Sequence, residues 1–207
     1  MPFKHFNLHP SVTRGLAPLG FTAPTPVQEA AIPLILQKRD AIIQAKTGSG
    51  KTLAFGLPIL SMLERQGFPQ ALVVLPTREL AQQVCSAIAE VKGRLRVLPI
   101  YGGARIEPQE RALKEGVDLV VGTPGRLKDL INRGSLDLRR VRILILDEAD
   151  AMLDMGFRRD IDFLLKQLPL REQTLIFSAT MPSEIEVIAR SHLKNPAYVN
   201  LIKDENV

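Results

Sequence analysis

The chain has 207 residues, of which 45% are hydrophobic and 24% charged, and its formal net charge is +5 at pH 7. This composition predicts one globular domain with a substantial core, and no apolar run approaches the ~18 residues that a membrane-spanning helix needs. The N-terminal MPFKHFNLHP lacks the apolar core of a secretion signal. Cys85 is the only cysteine, which excludes an internal disulfide and favours a reducing, cytoplasmic setting. The three histidines lack metal-ligand spacing, and the positive charge mildly favours a polyanionic partner.

Two kinds of pattern alternate along the chain. The first forty residues hold helical patterns at Ser11–Leu19 and Val27–Leu36, split by a proline-rich turn, with no clear strand. Short Val, Ile and Leu runs then alternate with amphipathic segments, which predicts an α/β fold with a parallel sheet between helices. We expect residues 1–38 to form an N-terminal helical extension and residues 39–207 the main domain. The predicted strands are Ala41–Gln44, Ala71–Leu75, Arg96–Ile100, Val117–Val121, Ile143–Leu146, Thr174–Phe177 and Tyr198–Leu201, and the intervening helical segments include Glu79–Val91, Pro108–Glu115 and Ile161–Leu168.

The octapeptide AKTGSGKT lies between the first predicted strand and a helical pattern. It matches the phosphate-binding loop G-x-x-x-x-G-K-[ST] except at its first position, Ala45. Gly48 and Gly50 allow backbone N–H groups to turn towards phosphate oxygens, Lys51 supplies a positive charge, and the Thr52 hydroxyl is a ligand for Mg²⁺. The alternative is a glycine-rich turn that carries an exposed lysine.

A second candidate element is acidic. The apolar run RILIL is followed by Asp147, Glu148 and Asp150. Because the turns that follow parallel strands share one edge of a sheet, we expect Asp147, on a neighbouring strand, to hold Mg²⁺ directly or through water. Glu148 is placed to orient or deprotonate an attacking water. The alternative is a group of acidic residues favoured by the dipole of a helix first turn.

Base selection is predicted at Gln28, within the segment PTPVQ. A glutamine amide presents one acceptor and one donor, which complement the N6 donor and N7 acceptor of adenine, whereas the O6 acceptor of guanine leaves the amide oxygen unpaired. Phe21 can pack on the base. Taken alone, Gln28 is also compatible with a solvated position on a helix.

These motifs together resemble the N-terminal RecA-like domain of a DEAD-box ATP-dependent RNA helicase, and the resemblance covers the whole chain. In this family the phosphate loop normally begins with alanine, so Ala45 belongs to the signature. The matching motifs are, in chain order, the glutamine motif (Gly20-Phe21 and Pro24–Gln28, with the upstream aromatic Phe3), AKTGSGKT, PTRELA (Pro76–Ala81), Gly102-Gly103, TPGR (Thr123–Arg126), DEAD (Asp147–Asp150) and SAT (Ser178–Thr180).

The resemblance implies a role for each motif. Phe21 and Gln28 are expected to recognise adenine, and Lys51, Asp147 and Glu148 to serve catalysis. The expected phosphate-binding residues are Ala45, Lys46, Thr47, Gly48, Ser49, Gly50, Lys51 and Thr52, and the residues expected to couple hydrolysis to strand separation are Asp150, Ser178, Ala179 and Thr180. For SAT, the alternative is that both hydroxyls only cap the helix that begins near Pro182.

Three further motifs each follow a predicted strand and open a loop or a helix, where free N–H groups attract phosphate. They are expected to contact the sugar-phosphate backbone of RNA, largely without sequence preference; RNA rather than DNA is implied by the family alone. The predicted contact residues are Pro76, Thr77, Arg78, Gly102, Gly103, Thr123, Pro124, Gly125 and Arg126. A simple turn near a helix N-terminus is the alternative for TPGR.

The resemblance therefore implies ATP and Mg²⁺ as cofactors, RNA as partner, and a second, C-terminal RecA-like domain that this chain lacks. That domain supplies an arginine finger, which contributes roughly 10³–10⁵ in rate in related enzymes. We accordingly expect the chain alone to bind adenine nucleotide, to hydrolyse little ATP and not to unwind duplexes. Two other classes are alternatives. Lys51, Asp147 and Glu148 favour an enzyme over a nucleotide-responsive binding module, and the glutamine motif together with TPGR disfavours a phosphate-loop ATPase that drives transport or DNA strand exchange.

Overall fold

A computed structural model describes residues 3–202. Within them, seven strands form one sheet and nine α-helices surround it. The strands are β1 (Ala41–Gln44), β2 (Ala71–Val74), β3 (Val97–Ile100), β4 (Leu119–Gly122), β5 (Ile143–Leu146), β6 (Gln173–Ser178) and β7 (Ala197–Asn200). The helices are α1 (Pro10–Leu16), α2 (Pro26–Leu36), α3 (Lys51–Met62), α4 (Arg78–Val91), α5 (Glu107–Glu115), α6 (Pro124–Asn132), α7 (Ala149–Asp154), α8 (Arg158–Lys166) and α9 (Ser183–His192).

The sheet is parallel throughout, and its strand order is β3-β4-β2-β5-β6-β1-β7. The predicted parallel α/β architecture is confirmed, and each predicted strand lies within two residues of its observed bounds. One expectation was wrong: β6 lies between β1 and β5, so the acidic turn does not follow a strand adjacent to the phosphate-loop strand. Strand order depends on which apolar surfaces pack together in the fold. The residue pattern of a single strand does not predict which strands are its neighbours.

Both faces of the sheet are buried, because successive side chains of a strand point to opposite sides. In β1, Ile43 packs in a core with α1 to α4, whereas Ile42 packs in a second core with α6 to α9. In β2, Val73 and Leu72 divide between the two cores in the same way. This double burial is the physical reason that the strands read as continuous apolar runs.

The N-terminal segment packs onto the first of these cores. Phe3, Phe6, Val12 and Leu16 are buried in it together with residues of α3 and α4. The helix predicted to reach Leu19 ends as α1 at Leu16 and continues as a short 3₁₀ turn over Ala17–Leu19. Pro18 lies inside that turn, and it has no N–H with which to continue α-helical hydrogen bonding.

A buried carboxylate binds two backbone segments at the amino-terminal edge of the sheet. Asp118, which is 0% exposed, accepts hydrogen bonds from the backbone N–H groups of Gln66 (2.8 Å), Gly67 (2.9 Å) and Arg96 (2.8 Å). These three amides belong to the loop before β2 and the start of the β3 segment. One carboxylate therefore joins two connections on the side of the sheet away from the candidate motifs. No helix in the described part of the chain is both long and apolar enough to cross a bilayer.

Candidate active site

Except for the glutamine motif, which precedes β1, the candidate motifs follow strands, so the parallel sheet places them along its carboxyl edge, as expected. The strand order divides this edge into two halves. The turns after β5, β6 and β1 carry the acidic motif, SAT and the phosphate loop, and the turns after β3, β4 and β2 carry Gly-Gly, TPGR and PTRELA. One half therefore collects the groups expected to bind nucleotide, and the adjacent half collects those expected to bind RNA.

The phosphate loop joins β1 to α3. Gly48 and Gly50 have positive φ angles of 79° and 97°, which is the left-handed region that glycine adopts without steric cost. Ala45 is not among the residues with positive φ; it is 1% exposed, and its N–H donates to the Ser178 carbonyl at 3.0 Å. The methyl group at the loop entry is therefore accommodated. The Ser49 Oγ is buried without a hydrogen-bond partner in the described structure.

Lys51 is buried and faces two carboxylates. Its Nζ lies 2.6 Å from Glu148 Oε1 and 3.8 Å from Asp147 Oδ1, with the lysine side chain only 5% exposed. The alternative of an exposed lysine on a simple turn was wrong. The Thr47 hydroxyl donates to the same Glu148 oxygen at 3.3 Å. Residues of the phosphate loop and of the acidic motif thus meet directly across the end of β6.

The Asp147 carboxyl is almost completely removed from water. Burial raises its pKa to about 6, although the nearby Lys51 ammonium acts in the opposite direction. The Glu148 N–H donates to Asp147 Oδ1 at 2.9 Å. Among the described residues, no group of three or more His, Cys, Asp or Glu side chains is suited to hold a metal ion. Mg²⁺, however, is commonly held by one or two carboxylates together with substrate phosphates, and a desolvated carboxylate suits that arrangement.

Glu148 has an unusual backbone conformation. Its φ and ψ angles of 51° and 49° are left-handed, and it forms the N-cap of α7. A residue other than glycine in this region carries strain of roughly 1–3 kcal/mol, and such strain is concentrated at functional positions. The carboxylate of this strained residue is the one that contacts Lys51.

Asp150 connects the acidic motif to SAT. Its Oδ2 accepts hydrogen bonds from the Thr180 N–H and hydroxyl, both at 2.8 Å, and its own N–H donates to Ser178 Oγ at 3.2 Å. Burial alone raises the pKa of Asp150, but hydrogen bonds from Thr180, Ser178 and Ala151 outweigh burial and lower it. The alternative that both SAT hydroxyls only cap the following helix was wrong, because α9 has Pro182 as its N-cap and no side-chain cap.

Gln28 is 3% exposed, so the solvated alternative was wrong. Its Oε1 accepts from the Thr25 N–H at 2.9 Å and its Nε2 donates to the Gly50 carbonyl at 3.2 Å. The amide therefore links the start of α2 to the phosphate loop, while one further N–H and one further acceptor position of the group remain. Phe21 is 40% exposed. Its ring packs edge-on against the Phe3 ring, with 6.4 Å between the two ring centroids.

The two loop glycines should respond differently to alanine. A Cβ at Gly50 meets Thr25 Oγ1 at 2.8 Å and Gln28 Nε2 at 2.9 Å, whereas a Cβ at Gly48 meets no atom within 4 Å. We expect Gly48→Ala to lower the free energy of unfolding by about 1 kcal/mol through left-handed strain alone. Gly50→Ala adds a clash and should cost about 2–3 kcal/mol. Urea denaturation of the nucleotide-free protein measures both; equal losses contradict close packing of Gln28 on the loop.

The other half of the edge forms an open cleft of about 410 Å³. Its lining brings together the three motifs predicted to contact RNA, with Phe157 beside them. The lining residues are Pro76, Arg78, Gly102, Thr123, Gly125, Arg126, Asp129 and Phe157. Thr77 is the N-cap of α4, where its hydroxyl accepts from the Leu80 N–H, and Thr123 is the N-cap of α6, with Pro124 as the first helical residue. The first residues of α4 and α6 therefore line this cleft, and the free amides of helix N-termini suit phosphate.

Arg126 differs from the other predicted contact residues. Its side chain is only 13% exposed, and its Nη2 donates to the Ala104 carbonyl at 3.0 Å. The guanidinium also lies 3.9 Å from Asp129 Oδ2. Arg78 is more accessible, with 48% of its side chain exposed, and it lies 5.9 Å from the centre of the Tyr101 ring.

Comparison with known proteins identifies this arrangement. The family model described as "DEAD/DEAH box helicase" matches residues 25–188, which span every motif of the site from Thr25 to SAT. The chain belongs to the DEAD/DEAH box helicase family. Its seven-stranded fold is the RecA-like fold of these proteins, with the N-terminal helices that precede it.

Similar DEAD-box proteins come from bacteria and archaea. "ATP-dependent RNA helicase DeaD" of Buchnera aphidicola subsp. Schizaphis graminum is 46% identical over 203 residues, which are 96% of this chain and 34% of that protein. "DEAD-box ATP-dependent RNA helicase CshA" of Geobacillus kaustophilus is 48% identical over 96% of this chain and 43% of its own length. The crystal structure of a DEAD box protein from Methanococcus jannaschii superposes with a TM-score of 0.93 at 40% identity, covering 100% of this chain and 58% of that one. The chain thus spans less than half the length of these two curated relatives.

Gln44 contacts the SAT motif, and sequence reasoning did not predict this contact. At the end of β1, its Nε2 donates to the Ala179 carbonyl at 3.1 Å, and its Oε1 accepts from the Tyr198 hydroxyl at 2.8 Å. It therefore joins SAT to the edge strand β7. A polar residue at the end of an otherwise apolar strand was the available signal.

Proposed function

We propose that this chain is the ATP-binding and RNA-binding N-terminal motor domain of an ATP-dependent RNA helicase, which hydrolyses ATP to ADP and phosphate and locally unwinds or remodels RNA duplexes. The observation that carries the proposal is the 2.6 Å contact between Lys51 Nζ and Glu148 Oε1. It places the phosphate-loop cation and the candidate base at one point of the sheet edge, beside the cleft lined by the RNA motifs.

In this proposal the phosphate loop, residues 45–52, holds the triphosphate. Lys51 moves from Glu148 to the outer phosphates, since a phosphate carries more negative charge than one carboxylate. The Ser49 hydroxyl, which is buried and has no hydrogen-bond partner among residues 3–202, is matched to a phosphate oxygen. Gln28 uses the remaining N–H and acceptor position of its amide for adenine, and the exposed ring of Phe21 packs on the base.

Glu148, released from Lys51, accepts a proton from the water that attacks the terminal phosphate. Asp147 and Thr52 are the residues that would hold Mg²⁺, because a desolvated carboxylate and a hydroxyl at the start of α3 suit a hard cation. When bound, the ion neutralises charge on the phosphates. Asp150 then relays the state of the acidic motif to Ser178 and Thr180.

RNA is proposed to bind along the cleft through its sugar-phosphate backbone. The amide-rich starts of α4 and α6 and the exposed Arg78 supply donors to phosphate, with little contact to base edges. Arg126 stabilises this surface through its hydrogen bond to the Ala104 carbonyl. We further propose that a second RecA-like domain completes the catalytic site in the whole protein. Residues 1–38 act as an extension of the domain formed by residues 39–207. The protein works in the cytoplasm.

Nucleotide competition tests the nucleotide assignment. A fluorescent ATP analogue bound to the 207-residue chain should be displaced by ATP and at least tenfold less well by GTP. Lys51→Ala should weaken binding by about 10–100-fold, because it removes a charge-assisted contact to phosphate. Lys114→Ala, an exposed change on α5, is the matched control and should bind normally. Equal displacement by GTP contradicts the Gln28 assignment.

Turnover and RNA binding test the motor assignment. Fluorescence anisotropy with single-stranded RNAs of different sequence should give similar affinities that fall as salt rises, because contacts to phosphate release counterions. ATP hydrolysis by the chain alone should stay very slow with or without RNA. Robust RNA-stimulated turnover by this chain contradicts the need for a second domain.

A further inference from the structure

A buried glutamine holds the Gly102-Gly103 turn from inside. Gln109, in the first turn of α5, is 7% exposed. Its Oε1 accepts from the Tyr101 N–H at 3.3 Å, and its Nε2 donates to the carbonyls of Tyr101 and Arg105, each at 3.2 Å. One amide group thus binds Tyr101 and Arg105, the first and fifth of the six residues between β3 and α5.

The middle of the same loop has a second anchor. The Ala104 carbonyl accepts the hydrogen bond from Arg126 Nη2 at 3.0 Å. Gly102 and Gly103 lie between these anchors and are both exposed, and Gly102 lines the cleft. Gly103 has a φ of 74°, so the turn has a conformation that is costly for other residues and needs to be held in place.

We propose that Gln109 is a positioning residue for RNA binding. By fixing Tyr101 and Arg105, it keeps the Gly-Gly turn open to the cleft shared with Arg78, although its own side chain is buried and does not reach RNA. The inference rests on the proposed RNA-binding function of the cleft. A loop that is ordered before binding spares the ligand the entropic cost of ordering it.

The chemistry of the contact requires an amide. Oε1 faces an N–H and Nε2 faces two carbonyls, so the group acts as donor and acceptor at once. Glutamate has the same shape, but its carboxylate cannot donate and would face the carbonyls of Tyr101 and Arg105 with negative charge. Gln109→Glu and Gln109→Ala should therefore both release the loop, the first with almost no change in volume.

The test compares RNA affinity with nucleotide affinity in the same variants. Gln109→Ala and Gln109→Glu should weaken binding of single-stranded RNA by about 10–30-fold, since several backbone dihedrals must be ordered on binding. Their affinity for the fluorescent ATP analogue should stay within about twofold of the wild type, because the phosphate loop lies on the other half of the edge. Amide hydrogen exchange should quicken in residues 101–105 and stay unchanged in the phosphate loop.

Two controls separate positioning from general stability. Gln82→Ala removes the 2.8 Å contact from Gln82 Nε2 to the Tyr101 hydroxyl and leaves the loop backbone in place, so RNA affinity should persist. Leu113→Ala loosens α5 in the second core without touching the loop, and should lower stability while RNA affinity persists. Equal losses of RNA and nucleotide affinity in the Gln109 variants, or a loss in Leu113→Ala as large as theirs, overturn the inference.

The proposed function can fail separately from this inference. Wild-type chain that binds no RNA at low salt overturns both. Wild-type chain that binds RNA while Gln109→Ala and Gln109→Glu bind equally well overturns the positioning role alone. If neither variant folds, hydrogen exchange on Arg126→Ala, which removes the bond to the Ala104 carbonyl, reports on the same loop. Unchanged protection of residues 101–105 together with unchanged RNA affinity then overturns the inference.

Discussion

Glu148→Gln, introduced into the two-domain helicase proposed above, is expected to lower ATP turnover by about 10²–10⁴-fold, the usual contribution of a general base. A neutral amide cannot take the proton of the attacking water. Its oxygen can still accept hydrogen bonds from Lys51 and Thr47, which in this structure reach Glu148 Oε1 at 2.6 and 3.3 Å. The loop should therefore keep its shape, and ATP affinity should equal or exceed that of the wild type. Steady-state hydrolysis and analogue binding measure the two quantities.

The same experiment separates an enzyme from a nucleotide-responsive binding module. Glu90→Gln, an exposed change on α4, is the charge-matched control and should leave turnover unaltered. If the complete wild-type protein binds ATP and RNA but has no turnover, the binding-module alternative is supported. Unaltered turnover in Glu148→Gln would remove Glu148 from the role of base.

Asp118→Ala is expected to lower the free energy of unfolding by about 3–5 kcal/mol, because hydrogen bonds to a charged group contribute roughly 1.5–3 kcal/mol each. The fully buried carboxylate accepts three backbone N–H bonds of 2.8–2.9 Å. Removing it leaves two loops without their shared anchor. Urea denaturation measures the loss, and ATP affinity at low denaturant should persist, since Asp118 lies at the opposite edge of the sheet.

Asp137→Ala is the matched control for this prediction. Asp137 is half exposed and pairs with Arg139 at 2.8 Å, and the hydrogen bonds from Arg139 lower its pKa to about 2. Exposed pairs of this kind contribute about 1 kcal/mol or less. Similar losses in the two variants would show that burial of the Asp118 carboxylate adds nothing to its three bonds.

Much of the fold follows from the apolar runs. Strands β1 and β5 lie at their predicted residues, because a strand buried on both faces is apolar from end to end. The predicted strand Thr174–Phe177 is one residue shorter at each end than the observed β6. Gln173 and Ser178 are polar, yet both belong to the strand. Helix α8 begins at Arg158, three residues before the predicted start, since charged residues on the outer face of a helix add no apolar signal.

The sequence predicts a set of candidate site residues and does not predict their geometry. Short motifs identify which side chains matter, because phosphate and Mg²⁺ demand particular groups. The position of β6 between β1 and β5, the left-handed Glu148 and the inward guanidinium of Arg126 depend on how distant segments pack. Gln109 carries no motif signal at all, since a glutamine in a helix first turn is ordinarily a surface residue.

One small contact has a consequence for redesigning this protein. Gln28 donates to the carbonyl of Gly50, the residue immediately before Lys51. A substitution of Gln28 intended to admit another nucleobase would also remove this hydrogen bond to the loop proposed to bind the triphosphate. Under the proposed function, nucleobase preference and phosphate affinity therefore depend on the same side chain, and a redesign that alters one has to restore the other.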